Sequence, residues 1–268
     1  MARQLGHVNY GGTIGGIRHF KIKGLSGNFA GLKGGATGEQ IKSDPAFIRT
    51  RENMNEFGGC AIVGKSLRTG LAQIMKQMSD SQLTGRLTGI MKKINLEDQS
   101  EARGYRAILV SAQPQYLLGL NFNRNNSFEG MFTGAVETVT TAERNSVTLN
   151  VEPFSTLNNV NAPAGATHFR LVNAITVLSD FAFNATTKVY EPIEPTLNET
   201  SKITYSDYIE VGSSVADPLS VESVLPGTPT MTADVSLISC VGIEFYQKVG
   251  ANYYILSVGN SLKIKNIF

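Results

Sequence analysis

The sequence predicts an α+β protein on three observations: a glycine-rich leader, a stretch whose apolar residues recur every three or four positions, and a long remainder where the period falls to two. In chain order these read as a Gly-rich β-hairpin arm over 1–43, a two-helix element over 44–104, and a C-terminal antiparallel β-sandwich, Ig-like or a related barrel, over 105–268.

Eleven of the 27 glycines fall within the first 40 residues. Between Thr13 and Gly24, apolar Ile17, His19 or Phe20, and Ile22 alternate with basic positions, the pattern of a short hairpin strand with one polar face. Residues 31–38 are too rich in glycine to hold a shape alone, because ordering glycine costs the most backbone entropy. The arm is therefore expected to become fixed by docking onto a neighbouring copy. Ile14, Ile17, Phe20, Leu25, Phe29 and Leu32 are the apolar side chains it would bury there.

In the second region Phe57, Cys60, Val63, Leu67, Leu71, Ile74 and Met78 form a continuous stripe at helical spacing. Ser79, Asp80 and Ser81 supply a stop and an N-cap, and the stripe resumes with Leu83, Leu87, Ile90 and Ile94. Two antiparallel helices joined by a tight turn follow. Gly85 and Gly89 lie one turn apart, which predicts close approach of another backbone to this helix.

From Tyr105 onward, Val147, Leu149 and Val151 alternate with Ser146, Thr148 and Asn150. Val235, Leu237, Val241, Ile243 and Phe245 share a face opposite Asp234, Ser236 and Glu244, and Leu262 and Ile264 alternate with Lys263 and Lys265. Turn clusters at 158–165 and 225–229 punctuate these strands. Thr, Ser and Asn are expected on the outward faces, leaving lightly charged edges that invite pairing with another chain.

Composition narrows the function classes. The chain has 268 residues, 24 Lys+Arg against 22 Asp+Glu, no Trp, and a hydrophobic fraction of 41% with a mean hydropathy of −0.07. Charged residues make up 17%, against about 25% in an ordinary soluble domain. No window reaches the length of apolar chain that spans a bilayer, so no membrane insertion is expected. The first residues lack an apolar core and a cleavage site, so cytoplasmic synthesis without a signal peptide is expected, with the final location left open. The charge is uneven: residues 1–104 carry 15 Lys/Arg and 8 Asp/Glu, residues 105–268 carry 9 and 14. A basic head and an acidic body suit a head-to-body contact between copies.

Few motifs carry chemistry. Residues 59–66, from Gly59 to Lys65 and Ser66, match the phosphate-binding pattern GxxxxGK[ST] in full, which would make Lys65 and Ser66 phosphate and magnesium contacts. The context fails: the preceding residues are polar, the loop interior is apolar and continues the helical stripe, and no alternating βα units follow. A helix start with coincidental glycines is the expectation. Cys60 and Cys240 read as buried free thiols in different halves of the chain. His7, His19 and His168 have no acidic partner at a recognisable offset. No cofactor, metal site or catalytic residue is expected, and the chain is read as a non-enzyme. The basic residues Arg49, Arg51, Lys65, Arg68, Lys76, Arg86, Lys92 and Lys93 scatter around both helices, so nucleic acid is not expected as a partner.

The segment Asp44-Pro45-Ala46-Phe47-Ile48-Arg49-Thr50-Arg51-Glu52-Asn53-Met54-Asn55-Glu56-Phe57-Gly58, with Gly12-Thr13-Ile14-Gly15 before it and Gly64-Lys65-Ser66-Leu67-Arg68 after it, resembles a family of small proteins common in Bacteroidota genomes. The resemblance covers about residues 1 to 95. That family carries no established activity, so the resemblance implies an origin rather than a function. Physically, Arg49, Arg51, Glu52 and Glu56 read as a local ion-pair network at a helix start, with Phe47 and Phe57 stapling the chain to a core.

These readings converge on a structural subunit that self-assembles into a filament, tubule, sheath or shell through its arm, with copies of itself as partners. The alternative is a binding module for a glycan, a partner protein or, through the basic head, nucleic acid. A nucleotide hydrolase using Lys65 and Ser66 comes third.

Overall fold

A computed structural model describes residues 2–268. The chain divides into two compact units, Met1–Arg51 and Glu52–Phe268. The helices expected over 44–104 therefore share a unit with the strands that follow them, apart from the first turn of the first long helix.

The N-terminal unit holds more than a hairpin. Strands β1 (Ala2–Gln4), β2 (Gly12–Ile14), β3 (Ile17–Phe20) and β4 (Asn28–Leu32) form an antiparallel sheet in the order β1-β4-β3-β2. The two residues between β2 and β3 are Gly15 and Gly16. Gly15 sits at φ +59, the left-handed conformation such a tight turn requires. Helix α1 (Gly38–Ser43) follows, its start closed by a reciprocal capping box between Thr37 and Gln40. Asp44 caps the short 3-10 turn Pro45–Phe47.

The larger unit is a three-layer arrangement. Its helices are α2 (Ile48–Gly70), α3 (Ala72–Met78), α4 (Leu83–Glu97), α5 (Phe128–Met131) and α6 (Thr156–Asn159). Strands β5 (Val136–Thr140), β6 (Ser146–Val151) and β14 (Leu219–Val224) form one sheet in the order β14-β6-β5. The central sheet runs β11 (Ser201–Tyr205), β8 (His168–Ser179), β15 (Val235–Val249), β16 (Asn252–Ile255), with β12 (Ile209–Glu210) on β8 and β17 (Ser261–Ile267) on β15. Two-stranded pairs complete it: β7 (Phe154–Ser155) with β13 (Ser214–Val215), and β9 (Phe181–Asn184) with β10 (Val189–Pro192). Every pairing is antiparallel, and the fold is α+β with sandwich-like sheets toward the C-terminus.

The central sheet is covered on both faces, which corrects the expectation of polar outward faces. On one face of β8 and β15, Val172, Ala174, Leu178, Ile238 and Cys240 pack into a core with Cys60, Val63, Leu67, Leu87 and Met91 of the helices. On the other, Phe169, Leu171, Val241, Ile243 and Phe245 meet Leu149, Val151 and Val221 of the smaller sheet. Successive side chains point to opposite faces, so a strand covered twice cannot show solvent-facing positions. Ser236, Ser239, Thr176, Asn173 and Glu244 are accordingly all buried. Asn173 shows how such a group is accommodated: its Nδ2 donates to the Val147 carbonyl at 2.7 Å and the Val221 carbonyl at 2.8 Å, stitching the two sheets together.

Burial along α2 differs from the expected stripe in one place. Cys60, Val63, Leu67, Leu71, Ile74 and Met78 are buried, but Phe57 is exposed and Glu56 takes the inward position. The helix breaks at Leu71 rather than running on. Gly85 and Gly89 of α4 face open space, so the expected close approach there is absent. Close approach occurs instead on α2. A Cβ at Gly59 would lie 2.5 Å from the Tyr190 ring, and one at Gly70 would lie 2.0 Å from Thr176 Oγ1.

This contrast predicts opposite signs for two neighbouring substitutions. Gly59→Ala should destabilise the larger unit by about 1–3 kcal/mol, because Tyr190 is buried with its hydroxyl donating to the Arg106 carbonyl. Gly58→Ala meets nothing within 4 Å and should stabilise by up to about 1 kcal/mol through helix propensity. Urea unfolding of both variants checks the pair; equal midpoints would refute the packing account.

Candidate functional site

In the N-terminal unit the cross-strand register divides the expected assembly residues between two faces. Ile14 is opposite Ile17, and Ile17 is opposite Leu32, so these three side chains form one row across β2, β3 and β4. They are 56%, 46% and 86% exposed. The opposite face carries Phe20 and Phe29, directly paired with ring centroids 6.4 Å apart. Arg18 covers that pair, its guanidinium 4.6 Å from the centre of the Phe20 ring. Leu25 stands apart in the turn after β3, where its amide bonds the Ile22 carbonyl.

No residue from Ala2 to Arg51 is buried. Leu5, Val8 and Tyr10 of the same unit are exposed as well. The unit is also strongly basic, with 8 Lys/Arg against 2 Asp/Glu, while residues 52–268 carry 16 against 20. A sheet of this size with both faces open has no core of its own, and short sheets need a packed face to persist.

Members of the expected ion-pair network at the start of α2 also contact other segments of the chain. Arg51 spends its guanidinium on backbone, donating to the carbonyls of Ile41 at 2.8 Å and Asp44 at 2.9 Å. Glu52 pairs with Arg103 at 3.4 Å. Glu56 pairs with Lys92 of α4, whose ammonium also donates to Asn95 Oδ1 at 2.7 Å. Arg49 lies in the first turn of α2, and Phe57 is exposed. Arg51, Glu52 and Glu56 thus reach other segments of the chain. Gly104 N donates to Glu56 Oε1 at 2.7 Å, and Asn95 Nδ2 donates to the Arg106 carbonyl at 2.7 Å. Together they clamp the 98–107 loop onto α2 and α4. Burial works to raise the Glu56 carboxyl, but the Lys92 ammonium and the Gly104 amide outweigh it and hold it below its ordinary value.

Residues 59–66 lie in the interior of α2, well past its start at Ile48. Their amides are engaged along the helix, so they cannot wrap a phosphate. Ser66 is buried and accepts from Asn198 Nδ2 at 2.9 Å, while Lys65 is exposed on another face. The segment is a packing surface for Tyr190 and Leu87 rather than a helix start.

Cys60 and Cys240 are free and buried in the same core rather than in separate halves. Burial pushes the Cys60 thiol up to about 12 and raises Cys240 as well, which leaves both unreactive. Of the scattered basic residues, Arg86 is committed to Asp80 and to the carbonyls of Asn121 and Phe122. His19 Nδ1 lies 2.7 Å from Gln4 Nε2, and His168 stands edge-on to Tyr253. Among the described residues no group of His, Cys, Asp or Glu has a metal-binding arrangement, and no helix is long and apolar enough to cross a membrane.

Sequence reasoning missed an aromatic ladder at one end of the central sheet. Arg170 of β8 lies 4.5 Å from the Tyr205 ring centre and 4.8 Å from that of Tyr208. Tyr208 stacks on Tyr253 at 3.8 Å with the rings 5° from parallel, and the Lys248 ammonium lies 5.2 Å from the Tyr253 ring. The ladder fixes the β11–β12 loop and β16 to the sheet, and Arg170 Nε adds a 2.7 Å bond to the Ser206 carbonyl. Below it, Glu244 is buried beneath Tyr246, whose hydroxyl donates to it at 2.6 Å. Burial raises the Glu244 carboxyl, and raises the Tyr205 hydroxyl to about 12. The ring faces of Tyr208 and Tyr253 are thus taken by protein neighbours. The clustering of Tyr205, Tyr208, Tyr253 and Tyr254 is the signal that could have flagged this end of the sheet.

No protein-family model, curated protein or solved structure gives a significant match to the chain.

Proposed function

We propose that the chain is a non-enzymatic structural subunit that assembles with copies of itself through its N-terminal unit into a filament, tubule, sheath or shell. One observation carries this reading: the N-terminal sheet presents an apolar cross-strand row, Ile14–Ile17–Leu32, while none of its residues is buried. Apolar surface of this kind marks an interaction site. The opposite charge of the two units supplies attraction between a basic head and an acidic body. The engagement of Arg51, Arg86 and Lys92 with groups of their own chain supports a protein partner over a nucleic acid.

Light scattering and negative-stain microscopy of the full chain over a range of concentrations test the reading. Large, concentration-dependent, salt-weakened assemblies are expected. Deletion of residues 1–35 should leave a monomer that keeps the β-rich circular dichroism of the larger unit, which has its own cores. A full chain that stays monomeric at high concentration, or a deletion variant that still polymerises, overturns it.

A further inference from the structure

The larger unit has a groove whose charge is opposite to that of the N-terminal sheet. β11 ends the central sheet and β14 ends the smaller one, so each is bonded to a neighbour on one side only. The two edges run side by side, with Ser223 Oγ donating to Thr204 Oγ1 at 2.9 Å. Along them the chain forms a cleft of about 470 Å³ over 204–207 and 215–222. Val215, Leu219 and Val221 supply its apolar lining, and Asp207, Asp217 and Glu222 are its charged members. No Lys or Arg lines it, and none of the three carboxylates has an ion-pair partner among the described residues. All three are exposed.

We propose that this groove receives the N-terminal sheet of a second copy of the chain. The inference rests on the assembly reading above and names the surface that completes it. Charge complementarity selects the occupant: exposed Arg18, Lys21, Lys23 and Lys33 make the segment that carries the aliphatic row basic, and three carboxylates without an ion-pair partner accompany an aliphatic lining in the other. Backbone complementarity adds to it. β2 is an edge strand of the N-terminal sheet with a free side, and β11 and β14 offer free sides in return. Such a head-to-body contact uses two different patches, so it propagates from copy to copy and builds an open chain or a closed ring.

The test uses full-length protein. Asp207→Lys, Asp217→Lys and Glu222→Lys together should raise the concentration for half-assembly by about a hundredfold or more, since like charges then face each other. Arg18→Glu, Lys21→Glu and Lys23→Glu together should do the same, and mixing the two variants should restore association. A second measurement covers any loss of folding in these variants. Chains carrying Asp217→Cys are mixed with chains carrying Lys21→Cys and oxidised; Cys60 and Cys240 are buried and do not compete. A disulfide-linked heterodimer is expected. If the parent chain assembles but the groove variant assembles equally well and no heterodimer forms, this docking is refuted while the assembly reading stands. If the parent chain never assembles, the assembly reading itself fails. A disulfide that forms within a single chain carrying both cysteines, with none between chains, overturns the docking by placing the sheet on its own body.

Discussion

Lys92→Met is expected to destabilise the larger unit by about 3 kcal/mol at neutral pH, and its effect should fade in acid. Lys92 is the cation facing Glu56, a carboxylate that is 1% exposed. Removing one member of a buried pair leaves an uncompensated charge, at a cost of about 3–5 kcal/mol. The lower figure applies because the Lys92 side chain retains 25% exposure. The pH dependence follows from the direction of each shift. In the parent protein Glu56 lies below its ordinary 4.5. Its contribution is therefore fully present above pH 4.5 and is lost as pH falls through the depressed folded value. Without Lys92 two of the influences that lower Glu56 are gone while burial still raises it, so the folded value moves up and the variant gains less stability from the ionised carboxylate as pH rises. The gap between the two proteins should be widest at pH 7 and narrow toward pH 4. Urea unfolding at both pH values measures it. Glu56→Gln in the Lys92→Met background should recover part of the loss, because the charge is gone. A gap under about 1 kcal/mol at pH 7, or one independent of pH, would show that the clamp on the 98–107 loop does not depend on this pair.

The same residues show where the sequence was legible. Regular periods locate elements: the spacing from Cys60 to Met78 identifies the helical face, and the alternation at Val147, Leu149 and Val151 identifies a strand. Glu56 was misplaced because its inward position depends on Lys92, 36 residues away, and a charged residue on an apolar stripe reads locally as its edge. Its spacing of four from Cys60 was the available clue. Strands β8 and β15 were assigned one polar face because Ser, Thr and Asn look solvent-facing. Here they are small polar groups inside a doubly covered sheet, and the clue was strand length, 12 and 15 residues, with few charges in either. In the N-terminal unit, the composition singled out Ile14, Ile17 and Leu32 but not their alignment. That alignment arises only when β4 pairs with β3, a register fixed by backbone geometry across a turn rather than by any local pattern.

That alignment makes the second prediction sharp. Ile14→Thr, Ile17→Thr and Leu32→Thr together should abolish assembly at concentrations where the parent chain polymerises, while leaving the thermal unfolding of the larger unit unchanged. Threonine keeps strand propensity, so the substitution removes apolar contact area without dismantling the sheet. Burying an aliphatic side chain of this size is worth roughly 1.5–3 kcal/mol, and each 1.4 kcal/mol is about tenfold in an association constant. Losing three such contacts from every junction therefore shifts the assembly midpoint by several orders of magnitude. Leu5→Thr is the matched control: Leu5 is 86% exposed, as Leu32 is, but it lies outside the paired strands. Its loss should move the midpoint by less than about tenfold. Sedimentation velocity of the three proteins across the same concentration series distinguishes the cases. If the triple variant assembles alongside the parent, or Leu5→Thr disrupts assembly as strongly, the row is not what joins one copy to the next.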